Sequence, residues 1–227
     1  MTLPRIILVT GTDTGVGKTM TTAALAAALQ QHGHAVAVYK PCQTGNNGGD
    51  SDMSEVLRLA GPLRAEAGIV LEEPMAPVPA AEIDGVALPP LLVHAERILS
   101  LASGHDYVLV EGAGGLLVEL DHDGGTLAAL GSVLGSRAGF VVVARPSLGT
   151  LNHTALTLEA LERRGLHVSG VVLGQWPATP GLVERANRAA LGSLGVPFLG
   201  ALADGAAALE PDAFRERAAS WFEGVAA

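Results

Sequence analysis

Residues 11–19 read GTDTGVGKT, and they join an apolar segment, Ile6–Thr10, to an alanine-rich segment that begins at Lys18. The apolar run predicts a buried strand, and the alanine-rich stretch predicts a helix. A glycine-rich turn between a strand and a helix leaves backbone N–H groups and the helix N-terminus free to bind phosphate. The sequence therefore predicts a phosphate-binding loop at residues 11–19.

This loop follows the P-loop pattern with one departure. The strict pattern places a glycine at position 12, where this chain has Thr12, and glycines stand at positions 11, 15 and 17. In such a loop the lysine reaches the β- and γ-phosphates of a nucleotide, and the next hydroxyl binds Mg²⁺. The predicted nucleotide contacts are Gly15, Val16, Gly17, Lys18, Thr19 and Met20. A glycine-rich turn with an incidental lysine is the alternative interpretation.

Strand-like apolar runs alternate with helical segments along the chain, which favours an α/β fold. We expect a single P-loop domain over residues 1–227, with a doubly wound, mainly parallel sheet and helices on both faces. The predicted strands are Ile6–Thr10, Ala35–Lys40, Tyr107–Glu111, Gly139–Ala144, Ser169–Leu173 and Pro197–Gly200. The predicted helices are Lys18–Gln31, Ser51–Ala60, Pro89–Leu101, Leu127–Gly135, Thr150–Arg164, Gly181–Leu194 and Pro211–Glu223. The proline-rich stretch Glu72–Pro90 is expected to be an ordered excursion, with an interdomain linker as the alternative.

Composition narrows the functional class. The chain has 227 residues, 48% of them hydrophobic, and a formal net charge of -9 without a basic run. A nucleic-acid partner is therefore not expected. No apolar run approaches the ~18 residues of a membrane span, the first ten residues are too short for a secretory leader, and the single cysteine, Cys42, cannot form an internal disulfide. We expect a soluble, cytoplasmic protein.

Residues 106–115 read DYVLVEGAGG, an apolar strand that ends in a carboxylate and a glycine-rich turn. In P-loop proteins a carboxylate at such a strand end lies beside Mg²⁺, which makes Glu111 a candidate metal ligand. The small residues Gly112, Ala113 and Gly114 would let the backbone pass close to phosphate. A solvated glutamate at an ordinary strand end is the alternative.

Residues 38–45 read VYKPCQTG and place Lys40 at the predicted end of the second strand. Beside a P-loop, this lysine is a candidate second cation for a transferring phosphoryl group, although an isolated lysine is more often a surface residue. Cys42 is expected to be a packing residue, because no base accompanies it. In the segment Asp50-Ser51-Asp52, Ser51 or Asp50 would cap the following helix. Asp52 is a candidate magnesium ligand.

Residues 148–153 read LGTLNH and precede a helical segment. Thr150 or Asn152 can start that helix, whose free N–H groups would bind a carboxylate. A capped helix without a ligand is the alternative, and His153 is expected to be structural.

Taken together and in this order, the motifs resemble those of the dethiobiotin synthetases over nearly the whole chain. The resemblance implies a homodimer that uses Mg²⁺ and ATP to convert 7,8-diaminononanoate and CO₂ into dethiobiotin through a carbamate and a carbamic–phosphoric anhydride. It also implies that Thr19, Asp52 and Glu111 hold the metal. Lys40, Thr14 and Thr44 would contact the substrate, and Thr150, Leu151 and Asn152 of the neighbouring subunit would receive its carboxylate tail.

The nucleobase site departs from the family pattern. Many members carry Asn-Asp after the strand in which this chain has Gly174-Gln175. A glycine has no side chain to recognise adenine, so we expect loose selectivity among nucleoside triphosphates. The base would instead meet Gly174, Gln175 and the loop Ala203-Asp204-Gly205.

Three other functions remain as alternatives. A partition or septum-positioning ATPase places an extra lysine in the P-loop, where this chain has Asp13. An amidoligase of the cobyrinate type usually carries a glutaminase domain. Lys40 and Thr44 argue against a non-enzymatic nucleotide-binding module.

Overall fold

A computed structural model of the chain describes residues 3–46 and 51–223. Its strands are β1 (Ile6–Gly11), β2 (Val36–Gln43), β3 (Arg64–Val70), β4 (Tyr107–Gly115), β5 (Ala138–Ala144), β6 (Val168–Trp176) and β7 (Phe198–Ala203). They form one seven-stranded sheet in the order β3-β2-β4-β1-β5-β6-β7, and the strand pairs are parallel. The predicted parallel α/β fold is confirmed.

The described part of the chain has eight α-helices, of which the first seven lie between strands and the last follows β7. They are α1 (Lys18–Gln31), α2 (Asp52–Ala60), α3 (Pro77–Asp84), α4 (Leu91–Gly104), α5 (Leu127–Leu134), α6 (Thr150–Glu162), α7 (Leu182–Leu191) and α8 (Pro211–Ala218). None of these helices is long and apolar enough to cross a membrane.

Alternate residues of β1 face two separate hydrophobic cores, which explains why its sequence is apolar throughout. Ile7 and Val9 pack in a core built with α1, α2 and α8. Ile6 and Leu8 pack in a second core, which takes residues from α4, α5, α6 and α7. The sheet is therefore covered by helices on both faces, as a doubly wound fold requires.

Four predicted strands end at least three residues later than expected. β2 continues beyond Lys40 to Gln43, β4 beyond Glu111 to Gly115, β6 beyond Leu173 to Trp176, and β7 beyond Gly200 to Ala203. Pro41 is tolerated inside β2 because pairing with β4 ends at Tyr39, before the residue that lacks a backbone N–H. Gly174 and Gln175 consequently lie within a strand, and not in the loop after it.

Two elements were not predicted. β3 is an edge strand that mixes Arg64 and Glu66 with small residues, so it lacks the continuous apolar run of a buried strand. Helix α3 lies within the excursion Glu72–Pro90 and starts at a proline, where the missing N–H costs no helical hydrogen bond. The excursion packs against the main body through a third apolar cluster, which contains Cys42, Leu71, Ala80, Ala81, Leu88 and Leu120.

Candidate active site

The P-loop is shaped by glycines at its turn and at the start of α1. Gly15 has φ 71° and Gly17, the N-cap of α1, has φ 98°, values that residues with a Cβ rarely adopt. Thr12 N donates a 2.9 Å hydrogen bond to Val143 O of β5, which fixes the first half of the loop to the sheet. The second half lies against β6, where a Cβ on Gly17 would meet Gly174 O at 2.7 Å.

Lys18 is buried at the base of the loop. Its Nζ donates to Asp13 O at 3.0 Å, so the side chain turns back along the loop that it follows. Burial lowers the pKa of Lys18, and the nearby carboxylate of Glu111 opposes that effect without cancelling it. An amine held in this way gains stabilisation when an anion such as phosphate reaches it.

Three oxygen-bearing side chains meet beside the P-loop from three different elements. Thr19 Oγ1 of α1 lies 3.0 Å from Asp52 Oδ1 of α2 and 2.9 Å from Glu111 Oε1 of β4. Ser51 and Asp50 were the two predicted caps of α2. Ser51 caps the helix by accepting a hydrogen bond from Ser54 N, and Asp50 lies outside the described residues. Asp52 is also held by its backbone, since Asp52 N donates to Gln43 Oε1 at 3.1 Å.

Lys40 lies between the same two carboxylates. Its Nζ is 2.5 Å from Asp52 Oδ2 and 2.8 Å from Glu111 Oε1, and the lysine is only 5% exposed. Burial alone would lower the pKa of Lys40, but the charges of Glu111 and Asp52 outweigh it and raise that pKa. The reciprocal effect lowers the pKa of Asp52 in spite of its burial. The ammonium ion is therefore stable in a nearly water-free position.

The residues around Thr19 fit a magnesium ion. Glu111 Oε2 is buried and finds no hydrogen-bond partner among the described residues, so it is an acceptor in need of a cation or donor. Two carboxylates and one hydroxyl suit Mg²⁺, which prefers oxygen ligands and keeps several waters. Residues 3–46 and 51–223 contain no group of three or more His, Cys, Asp or Glu suited to a metal, so a denser protein cage is absent there.

A cleft of about 580 Å³ unites most of the predicted site. Of the predicted residues it is lined by Thr14, Gly15, Gly17, Lys18, Thr19, Met20, Lys40, Thr44, Asp52, Glu111, Ala113, Gly114 and Gln175. Five further lining residues were missed: Pro74, Met75, Ala76, Pro77 and Val118. Four of the missed residues belong to the excursion, whose path over the site has no motif in the sequence.

Several predicted residues do not line this cleft. Val16 is buried beneath the loop, and Gly112 packs against the side chain of Leu127. Asp204 lines an adjoining cavity of about 320 Å³, which Thr14, Gly15 and Gln175 border as well as the cleft. Gly174, Ala203 and Gly205 line neither space, and Thr150, Leu151 and Asn152 lie apart at the start of α6.

Gly174 lies directly behind the P-loop. A Cβ at that position would collide with Val16 O of the P-loop and lie 3.0 Å from the Cα of Gly17. Gly174 therefore supports the loop through its lack of a side chain, and its contact with the nucleobase stays a prediction. The predicted packing role of Cys42 agrees with its burial, which raises the pKa of its thiol to about 12.

The scarcity of lysine in the sequence is itself a signal of the site. The chain contains two lysines in all, Lys18 and Lys40, against twelve arginines. Both lysines are buried beside the same cleft. The other basic side chains of this sequence are arginines. Lysine at these two buried positions therefore indicates a function that requires the compact ammonium group.

Comparison with known proteins agrees with this geometry. A family model described as an AAA domain matches residues 5–206. The ATP-dependent dethiobiotin synthetase BioD of Mycobacterium avium (strain 104) is 50% identical over 222 residues, covering 96% of this chain and 95% of the relative. That of Rhodococcus jostii (strain RHA1) is 46% identical over 220 residues, covering 96% and 94%. The chain belongs to the dethiobiotin synthetase family. The predicted enzyme class, an ATP-dependent cyclo-ligase, is confirmed by these relatives.

Solved structures show the same fold at lower similarity. The septum site-determining protein MinD of Pyrococcus horikoshii OT3, complexed with Mg-ADP, has a TM-score of 0.61 at 17% identity and covers 97% of this chain and 93% of its own. The cell division ATPase MinD of Pyrococcus furiosus has a TM-score of 0.59 at 19% identity, with 95% and 97% covered. Identities this low show that the dethiobiotin synthetase and the two MinD proteins share an architecture, and they do not indicate a shared function.

Proposed function

We propose that this dethiobiotin synthetase closes the ureido ring of dethiobiotin from 7,8-diaminononanoate, CO₂ and ATP. The observation that carries the proposal is the buried ammonium of Lys40, held by Asp52 and Glu111 and facing the same cleft as the P-loop. A cation on each side of a phosphoryl group suits transfer between two anions, the nucleotide and a carbamate.

The reaction proceeds in three balanced steps. One substrate amine attacks the carbon of CO₂ and loses a proton, which gives a carbamate. A carbamate oxygen then attacks the γ-phosphorus of ATP, the bond from that phosphorus to the β–γ bridging oxygen breaks, and ADP leaves. The second amine attacks the carbamate carbon and loses a proton, and phosphate leaves with the former carbamate oxygen. No protein nucleophile is required.

The side chains position and neutralise charge during these steps. Lys18 stabilises the phosphates on the nucleotide side, and Lys40 stabilises the carbamate and the transferring phosphoryl group from the other side. Thr14 and Thr44, which border the cleft, contact the substrate. Thr19, Asp52 and Glu111 would hold Mg²⁺, which when bound supplies further positive charge to the phosphates.

The nucleotide occupies the P-loop, with its base toward the adjoining cavity. Backbone N–H groups of residues 15–20 hold the phosphates, as the N-terminus of α1 does for anions in general. Gln175 borders both the cleft and the adjoining cavity, and Asp204 borders the adjoining cavity. These two residues are therefore the proposed contacts to the base.

The enzyme works as a homodimer in the cytoplasm. Helix α6 supports the dimer, because Leu148, Leu151 and Leu156 on and before it are 78%, 39% and 56% exposed. Exposed apolar side chains in such number on one segment are typical of a protein interface. The same helix begins at the buried Thr150, and the backbone N–H groups of its first turn, together with the exposed Asn152, would bind the carboxylate tail of the substrate in the neighbouring subunit.

A coupled assay of phosphate release tests the proposal. Phosphate release should require 7,8-diaminononanoate together with bicarbonate, and dethiobiotin should form in equal amount. Phosphate release that ignores the diamine would instead support a switch ATPase of the partition or septum-positioning type.

A further inference from the structure

Asp13 is an acidic residue inside a loop that binds polyanions. Its Oδ1 accepts a 2.7 Å hydrogen bond from Thr14 N, and its backbone oxygen accepts one from Lys18 Nζ at 3.0 Å. The hydrogen bond from Thr14 and, more weakly, the charge of Arg145 hold the pKa of Asp13 below its usual value. A full negative charge therefore stands within the P-loop at neutral pH.

Arg145 forms an ion pair with this carboxylate. The guanidinium Nη2 contacts Asp13 Oδ2, across 132 positions of sequence. Arg145 directly follows β5, whose Val143 O already holds the loop through Thr12 N. Arg145 thus lies at the carboxyl end of a central strand of the sheet, and the carboxylate of Asp13 lies in the loop.

The ion pair has a consequence for nucleotide binding. An uncompensated carboxylate in the loop would repel the triphosphate. Asp13 is exposed, so solvent screens this repulsion, but charges closer than the Debye length of about 8 Å still interact. The carboxylate also accepts the hydrogen bond from Thr14 N, and the backbone oxygen of the same residue accepts the one from Lys18 Nζ. Whatever fixes and neutralises Asp13 therefore supports the phosphate site.

We propose that Arg145 is a positioning residue that acts through Asp13, neutralising and holding that carboxylate so that the P-loop accepts a nucleoside triphosphate. The proposal rests on the proposed function only in that the P-loop binds ATP. It assigns Arg145 no contact with the diamine or with the reacting atoms.

A double-mutant cycle in nucleotide binding tests this role. Affinity for ATP and ADP would be measured by calorimetry for the wild-type protein, Arg145→Ala, Asp13→Asn and the double variant. Arg145→Ala should weaken ATP binding about tenfold and ADP binding less, because the triphosphate carries more charge. In the Asp13→Asn background the same change should cost less than about twofold, and Arg145→Lys should retain most of the affinity.

Controls separate this role from simple folding effects and from the proposed function. Arg163→Ala removes a comparable surface ion pair, that with Glu159, and should leave both affinities unchanged. An equal loss in both Asp13 backgrounds, or no loss in either, would overturn the proposal. If the wild-type protein binds ATP and shows the coupling but releases no diamine-dependent phosphate, only the proposed reaction fails. If it binds no ATP, both fail.

Discussion

Lys18 and Lys40 face the same cleft but in opposite electrostatic settings. The pKa of Lys18 is lowered, chiefly by burial, whereas the charges of Glu111 and Asp52 overcome burial and raise that of Lys40. The charge of Lys40 is thus compensated by two carboxylates before any ligand arrives, whereas the charge of Lys18 gains further stabilisation when phosphate binds. Two roles follow for two residues of one type.

Substitution should separate these roles. Lys18→Ala should weaken ATP binding and slow the reaction, whereas Lys40→Ala should leave ATP binding largely intact and lower kcat about a hundredfold, which is ~3 kcal/mol. Calorimetry for binding and single-turnover kinetics for chemistry would measure both, with Lys40→Arg as the charge-retaining comparison. Near-normal turnover of Lys40→Ala at saturating substrate would refute its role.

Asp52 and Glu111 should set the magnesium requirement. Each residue contributes an oxygen within 3.0 Å of Thr19 Oγ1, so Asp52→Asn and Glu111→Gln should both raise the Mg²⁺ concentration needed for half-maximal activity. The comparison variant is Glu55→Gln, which changes a partly exposed acid of the same helix α2 that pairs with Arg58 outside the site. An unchanged Mg²⁺ dependence in both site variants would leave these residues with capping and ion-pair roles alone.

Asp52 should also contribute to stability in a pH-dependent way. Its folded pKa lies below the ordinary value of 3.8, so the stabilisation is fully present above that pH and is lost as the pH falls through the folded value. Asp52→Asn should therefore lower the free energy of unfolding in urea at pH 7, and the difference from wild type should shrink below about pH 4. A constant difference from pH 7 to pH 3.5 would contradict the linkage.

At the scale of elements, the contact between β6 and the P-loop is what the sequence could not predict. The sequence predicts only that Gly174 leaves the base without a side chain to recognise it, because many family members carry Asn at this place. The structure shows a strand residue whose lack of a side chain admits Val16 and Gly17. Only the three-dimensional approach of two distant segments reveals that requirement.

Gly174→Ala should displace the P-loop. The new methyl group would collide with the backbone of Val16, and overpacking of this kind typically costs about 1–3 kcal/mol. Both thermal stability and ATP affinity should fall. Gly192→Ala, where a Cβ would meet atoms no closer than 3.5 Å, is the matched control and should change neither. Wild-type ATP affinity in Gly174→Ala would show that the contact has no importance.

Base selectivity should be loose. Most binding energy comes from phosphate contacts, and no side chain at position 174 recognises the base, so a wrong base leaves few buried polar groups unpaired. Values of kcat/KM for ATP, CTP, GTP and UTP should lie within roughly two orders of magnitude. Since Gln175 borders both cavities, an ATP preference above about a thousandfold that disappears in Gln175→Ala would identify this residue as the base reader instead.

The order of the strands in the sheet brings the residues of the site together. β2, β4 and β1 are adjacent in the sheet, so Lys40, Glu111 and the P-loop meet at one edge although 71 and 92 positions separate Glu111 from Lys40 and Thr19. Motifs predicted these residues because strand ends carry ligands in such folds. The excursion that covers the cleft was not predicted as a wall of the site, since Pro74–Pro77 carry no chemistry that a pattern can identify.

The dimer should depend on α6. Leu156→Asp places a charge at an exposed leucine of that helix and should shift the protein toward monomer in sedimentation or light scattering. The KM for the diamine should rise more than the KM for ATP, because Thr150 and Asn152 would serve the neighbouring subunit. Leu92→Asp, at an equally exposed leucine of α4, should have no such effect. A fully active monomer would contradict the proposed assembly.

The most direct test of the proposed reaction follows one oxygen atom. The carbamate oxygen that attacks ATP leaves with phosphate when the ring closes, so ¹⁸O from labelled bicarbonate must appear in inorganic phosphate. With 7,8-diaminononanoate present, we expect one ¹⁸O atom per phosphate and one dethiobiotin per phosphate, measured by mass spectrometry before the label exchanges with water. Phosphate that carries no oxygen from bicarbonate would mean that water attacks ATP, and would contradict a carbamate as the phosphoryl acceptor.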